Sequence, residues 1–238
     1  MKYLLLGIAI LYTTLSFSQS PDEGYFFGGF ESNSQWLLYD KGLNFEQPDD
    51  AYRANNYFQL SYAFKNFTAG VQYESYLPDA LLGYSTAFSN GNGVATYYFN
   101  YKNEKVDLTG GYFYDQFGSG LVFRAWEERQ LGINNAIRGV RVKYNPTEYL
   151  DFTALYGQQR IGFELSEGTL QGLDANIDIS QGLSIESIDI KMGASYVARY
   201  QDVGAQLELP SNVNVVGGRL DVVKGNFYGG LELASKSK

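Results

Sequence analysis

The 238-residue chain contains no cysteine and no histidine. Without cysteine there is no disulfide framework, no thiol nucleophile and no lipid anchor on an N-terminal cysteine. Without histidine, Ser-His hydrolase dyads, imidazole metal sites and the commonest general base are lost together. Lys and Arg number 18 against 26 Asp and Glu, a net charge of −8, so the basic surface that nucleic acid requires is missing. Beyond the N-terminus no apolar run approaches the ~20 residues of a membrane-crossing helix. Carboxylate pairs remain at Asp49-Asp50 and Glu127-Glu128. Adjacent residues of a strand point to opposite faces and cannot hold a sugar between two carboxyls, so these pairs read as loop solvation. The expectation is a protein that is not an enzyme, carries no cofactor and binds no nucleic acid.

What the chain does have is alternation. Nine stretches place apolar residues at every second position, with no charge among them. They include Phe58, Leu60, Tyr62, Phe64; Phe67, Ala69, Val71, Tyr73; Ala95, Tyr97, Phe99, Tyr101; and Val106, Leu108, Gly110, Tyr112, Tyr114. Further sets are Val140, Val142, Tyr144; Leu150, Phe152, Ala154, Tyr156; and Ile188 through Tyr200 at even positions. Val216 to Val222 and Phe227 to Leu233 complete the nine. Period two marks strands with one apolar face. A Lys or Arg on the lipid face of a membrane barrel costs about 2–4 kcal/mol at the midplane, so nine uncharged faces carry information. Tyrosine (21) and phenylalanine (16) are abundant, and they gather at strand ends around aliphatic middles. Two aromatic girdles around an aliphatic belt suit a bilayer-spanning barrel. A soluble sandwich also alternates, but its strands average about 5–6 residues, shorter than the runs here. The fold class predicted is therefore all-β, an antiparallel transmembrane (outer-membrane) β-barrel.

Organisation along the chain agrees with that class. Residues 1–18 read as a secretory signal: Lys2, an apolar run Tyr3–Leu15, then Ser16-Phe17-Ser18 as a small-x-small cleavage site. Tight turns are predicted at Lys65-Asn66, Lys102–Lys105, Asn145–Glu148, Gln181–Ser184 and Lys224–Asn226. They alternate with long connections at Ser34–Ala54, Leu77–Gly93, Gly118–Ala136, Ile161–Gly168 and Gln201–Ser211. With Gly24–Asn33 as the first strand, the count is eleven. Single-chain bacterial barrels have even strand numbers, so residues 19–238 read as the N-terminal part of a longer barrel.

Arg53-Ala54-Asn55-Asn56-Tyr57, Gly70-Val71-Gln72-Tyr73-Glu74-Ser75-Tyr76 and Tyr112 to Gly120, followed by Arg124-Ala125-Trp126-Glu127-Glu128-Arg129, resemble an uncharacterised outer-membrane β-barrel family of Bacteroidota. The resemblance covers most of the mature chain. It implies the same fold and location and brings no activity, cofactor or site.

Asp174-Ala175-Asn176-Ile177-Asp178 opens like a calcium loop, but Ile179 stands where the turn glycine belongs and Ile185 where the last Glu would be. The alternation puts Asp174, Asn176 and Asp178 on one face, a lumen ladder rather than a metal site. Gly118-Ser119-Gly120 lacks the later glycine and the helix of a dinucleotide loop. Candidate lumen charges are Glu74, Asp107, Arg141, Lys143, Asp151, Asp174, Asp178 and Lys191, serving cross-strand pairing first and solute selection second. Lys143 and Asp151 are expected as near-opposite neighbours on the lumen face. Candidate binding residues on the connection Gly118–Ala136 are Arg124, Trp126, Glu127, Glu128 and Arg129. The functional expectation is a channel or surface-binding barrel for a small polar solute. The other reading is a non-catalytic scaffold holding another envelope protein. The outer-membrane bilayer is the partner in both.

Overall fold

A computed structural model describes residues 23–38, 42, 51–88, 91–202 and 210–237. The expected signal segment lies outside the described residues, as do most of the Ser34–Ala54 and Gln201–Ser211 connections. The strands are β1 (Tyr25–Trp36), β2 (Tyr52–Phe64), β3 (Phe67–Ser75), β4 (Asn92–Lys102), β5 (Val106–Phe113), β6 (Asp115–Phe117), β7 (Phe123–Ala125), β8 (Glu127–Glu128), β9 (Ile133–Asn134), β10 (Ile137–Thr147), β11 (Leu150–Ile161), β12 (Glu164–Asp178), β13 (Asp189–Tyr200), β14 (Asn212–Lys224) and β15 (Phe227–Lys236).

Eleven of these form one antiparallel sheet in the order β1-β2-β3-β4-β5-β10-β11-β12-β13-β14-β15, and β6-β7 and β8-β9 are two small hairpins. The count and the neighbour-to-neighbour topology agree with the sequence reading. Among the described residues β1 and β15 do not pair, so the sheet does not close. Apolar side chains line its convex face as the alternation requires. Leu60, Val71, Phe99, Val140, Tyr156 and Leu231 are all exposed there, with little else in contact. Around β10, the row Arg138, Gln158 and Thr169 bounds this apolar belt at one end.

The concave face carries the polar set. Arg160 on β11 binds Glu74 on β3 with Nη1–Oε1 3.0 Å and Nη2–Oε2 2.6 Å. Those strands are four sheet positions apart, roughly 19 Å along a flat sheet at ~4.8 Å per strand. A direct ion pair across that span requires the wall to curl, which places its concave face around an interior.

Several local expectations need correction. A bulge between Gln72 and Tyr73, opposite Thr96 and Val94, inverts the facing. Val94 therefore takes the outer position at 60% exposure, and Ala95 points inward at 4%. Tyr114 lies past the end of β5, where the chain leaves the wall, and donates from its hydroxyl to Asn134 Oδ1 at 3.1 Å. The turn expected at Asn145–Glu148 is Glu148-Tyr149, because β10 runs on to Thr147 through a register shift. The long connection expected at Ile161–Gly168 is the tight turn Gly162-Phe163, since β12 begins at Glu164. Between β12 and β13 the turn is widened by a helical turn, Ile179–Gly182, capped by Asp178.

Candidate functional site

The connection between β5 and β10 folds inward. Its two hairpins, β6-β7 and β8-β9, sit inside the curl and touch the wall on both sides. On one side the Phe117 and Phe123 rings meet tilted at 53°, 5.1 Å between centroids, and pack with Phe113, Ile137, Leu155 and Val197 into a buried apolar cluster. The residues come from the insert, β5, β10, β11 and β13, so the insert packs dry against that part of the wall. The insert's tip reaches the far edge of the sheet, where the Ser119 backbone N–H donates to Glu232 Oε2 on β15 at 3.0 Å.

The other end of the insert reaches β1 and β2. Arg129 donates to Glu31 on β1, pairs with Glu127 at 3.4 Å and lies over the Tyr57 ring at 4.3 Å. Burial works against its charge, but Glu127 and Glu31 outweigh it and hold the guanidinium protonated. Tyr84, from the β3–β4 connection, donates to the Arg129 carbonyl. Arg124 lies 4.0 Å over the Trp126 ring, Glu128 accepts from the Gln130 N–H at 3.2 Å, and Asn135 Oδ1 accepts from the Trp126 N–H at 2.6 Å. The five expected loop residues are thus gathered on one insert. Arg129, Glu127 and Glu128 fix its shape, while Arg124 and Trp126 form their own stacked pair.

Three charge clusters line the concave face. Glu74 and Arg160 are both fully buried. Glu74 accepts from the Tyr76 hydroxyl at 2.7 Å and from the Gln72 amide at 2.6 Å, and burial pushes the Tyr76 hydroxyl well above its usual range, so it stays a donor. Phe88 and Phe163 cover Arg160. The second cluster joins Arg219 of β14 to Asp174 of β12 at 2.8 Å, with Ser195 and Asn176 completing the shell. Asp174 and Asn176 do stand side by side, 2.9 Å apart. Asp178 instead accepts from the Gln181 N–H at the helical turn, with Lys191 3.6 Å away.

The third cluster corrects the expected partner of Lys143. Lys143 lies opposite Thr153, so Asp151 is its diagonal neighbour on the same face. Its ion pair is with Asp115 at 2.9 Å, just inside the insert, and Asp151 is bonded by Asn145. Arg141 joins the same group, 3.2 Å from Asp107 and 3.4 Å from Asp115. Sequence pattern alone does not supply Asp115 as a partner, because the alternation ending at Tyr114 makes its segment a strand end leading to an outer loop. The signal available was three phenylalanines, Phe113, Phe117 and Phe123, in a stretch otherwise written like a solvated connection.

Between the insert and the wall from β1 to β10 lies a cavity of about 480 Å³. Its lining includes Gln59, Gln72, Thr96, Tyr98, Asn100 and Arg141. The arrangement is an antiparallel, curled strand wall with an inward insert packed dry against part of it, beside a chamber lined mostly by apolar groups with several amides and hydroxyls among them.

The chain belongs to a family of unknown function (DUF6029), whose model matches residues 1–238. Comparison with curated proteins gives no match. Among solved structures, a BenF-like porin from Pseudomonas fluorescens Pf-5 is similar over 89% of this chain and 66% of its own, with 11% identity and a TM-score of 0.39. The chain thus spans just under two thirds of that porin chain, and a likeness so slight bears on neither mechanism nor ligand.

Proposed function

We propose that this protein is an outer-membrane β-barrel channel, exported by its N-terminal signal, whose solute route runs off-centre along the β1–β5 and β10 wall. The observation that carries the reading is the asymmetric interior. An apolar cluster packs the insert against β5, β10, β11 and β13, and beside it stays a chamber of about 480 Å³ whose mostly apolar lining is set with Gln59, Thr96 and Asn100. The uncharged convex belt supports a bilayer around the wall, since barrels that cross membranes keep charge off that face. Arg141, Lys143, Asp107 and Asp115 form a charged girdle next to the chamber and tune what passes. Every one of these charges is ion-paired, which suits a narrow, selective route better than a wide aqueous pore. The lack of histidine and cysteine supports a non-enzymatic role.

The test is conductance of the full-length protein in planar bilayers. Small, discrete steps are expected, and replacing residues 118–134 by a short turn is expected to raise the step size several-fold. A silent protein that stays silent after this deletion, and that co-purifies with a fixed envelope partner, would favour the scaffold reading.

A further inference from the structure

We propose that the chamber binds a neutral saccharide, stacked on Tyr98, and this deepens the channel reading, on which it rests for access. Tyr98 of β4 stands opposite Gly70 of β3 and Gly111 of β5. A Cβ at Gly70 would collide with the Tyr98 ring, lying 2.8 Å from its Cζ, so the ring is laid down against the wall where glycine leaves room. Ser61 sits 3.3 Å from the Tyr98 hydroxyl and anchors its far end. The ring therefore lines the chamber as a flat apolar plate rather than projecting across it.

Around that plate the wall offers neutral hydrogen-bonding groups. Gln59, Thr96 and Asn100 line the same chamber; the amide nitrogens of Gln59 and Asn100 are spent on Gln72 and on Asp107 and Thr109, which leaves their amide oxygens and the Thr96 hydroxyl for a guest. The two charged residues in the lining are already engaged. Arg141 is held by Asp107 and Asp115, and Glu127 by Arg129 and the Asn134 amide at 3.0 Å. An ionic guest would lose its hydration and find no free counter-charge. A sugar loses water and regains hydrogen bonds by donating its hydroxyls to the Gln59 and Asn100 amide oxygens and the Thr96 hydroxyl, while its apolar C–H face covers the tyrosine. The chamber volume lies within the range of small-molecule sites, about 300–1,000 Å³.

The experiment measures binding to the detergent-folded full-length protein by saturation-transfer NMR, using glucose, maltose and two charged analogues of glucose, gluconate and glucosamine. Glucose and maltose are expected to bind saturably, with gluconate and glucosamine weaker by about tenfold or more. Loss of one stacking face is worth about tenfold, so Tyr98→Ala and Gly70→Ala are each expected to lose that much while Tyr98→Phe keeps most of the affinity. Heat-modifiable migration on gels checks that each variant is folded. Should the Tyr98 variants not fold, Gln59→Leu gives the same readout from the rim and is expected to weaken both sugars. Equal binding of gluconate or glucosamine, binding insensitive to these variants, or no sugar binding by a protein that conducts ions would overturn the proposal. Tyr98-dependent sugar binding by a protein that does not conduct would uphold the site and sink the channel reading alone.

Discussion

Glu74 and Arg160 are 86 positions apart in sequence and share a fully buried, bidentate contact. Neither charge has water to fall back on, so removing one strands the other. Loss of one partner of a buried pair costs about 3–5 kcal/mol, whereas replacing both by apolar groups of similar volume is often close to neutral. Arg160→Met is therefore expected to lower stability by that amount, and Glu74→Leu with Arg160→Met to recover only part of it, because Tyr76 and Gln72 then lose their acceptor. Urea-induced loss of heat-modifiable migration measures both; equal destabilisation by the single and double variants would contradict a pairing role. No local pattern could have announced this contact. The alternation put Glu74 on the inner face, but partner choice across four strands depends on the curl of the wall, which period-two pattern does not encode.

At the scale of the strand, parity did most of the work. Side chains alternate strictly, so an uncharged set on one face fixes the facing of every residue between bulges. That is why eleven strands and the apolar convex face were legible, and why the errors cluster at bulges and turns. Ala95 is misplaced by the irregularity opposite Gln72, and Tyr114 by the end of β5 one residue earlier. The insert escaped because its strands are three residues or shorter, too brief to show a period. Its phenylalanines had to be weighed as buried groups rather than read as pattern. Two substitutions separate the faces. Val142 points outward at mid-strand, and arginine there is expected to cost about 2–4 kcal/mol and to block membrane insertion. Phe117, on the insert's own β6, is 1% exposed. Phe117→Ala is expected to cost about 3–5 kcal/mol in the core it leaves, yet to permit insertion and enlarge single-channel steps as the insert loosens. Outer-membrane fractionation and bilayer recordings on the two variants distinguish the roles; insertion of Val142→Arg at wild-type levels would contradict a lipid-facing position.

At the scale of the molecule the governing fact is that, among the described residues, the two edges of the sheet stay unjoined. Neighbouring strands alternate in direction, so β1 and β15, ten steps apart in the sheet order, run the same way. An antiparallel closure between them takes an odd number of further strands, and direct pairing of the two edges would be parallel. The inward insert already reaches both sides of the seam, at Glu31 of β1 and Glu232 of β15, so it braces the gap without supplying ladder bonds. Exposed backbone donors and acceptors on long, apolar edge strands recruit other chains. β15 is such an edge, with Phe227, Leu231 and Leu233 all well exposed. Residues 19–238 expressed alone and folded into detergent are therefore expected to run as concentration-dependent oligomers in light-scattering chromatography. A proline at Glu232 or a lysine at Leu231 on the β15 edge is expected to reduce that association without changing strand content by circular dichroism. A monodisperse monomer at every concentration would mean that the two edges meet directly and that the wall closes with eleven strands.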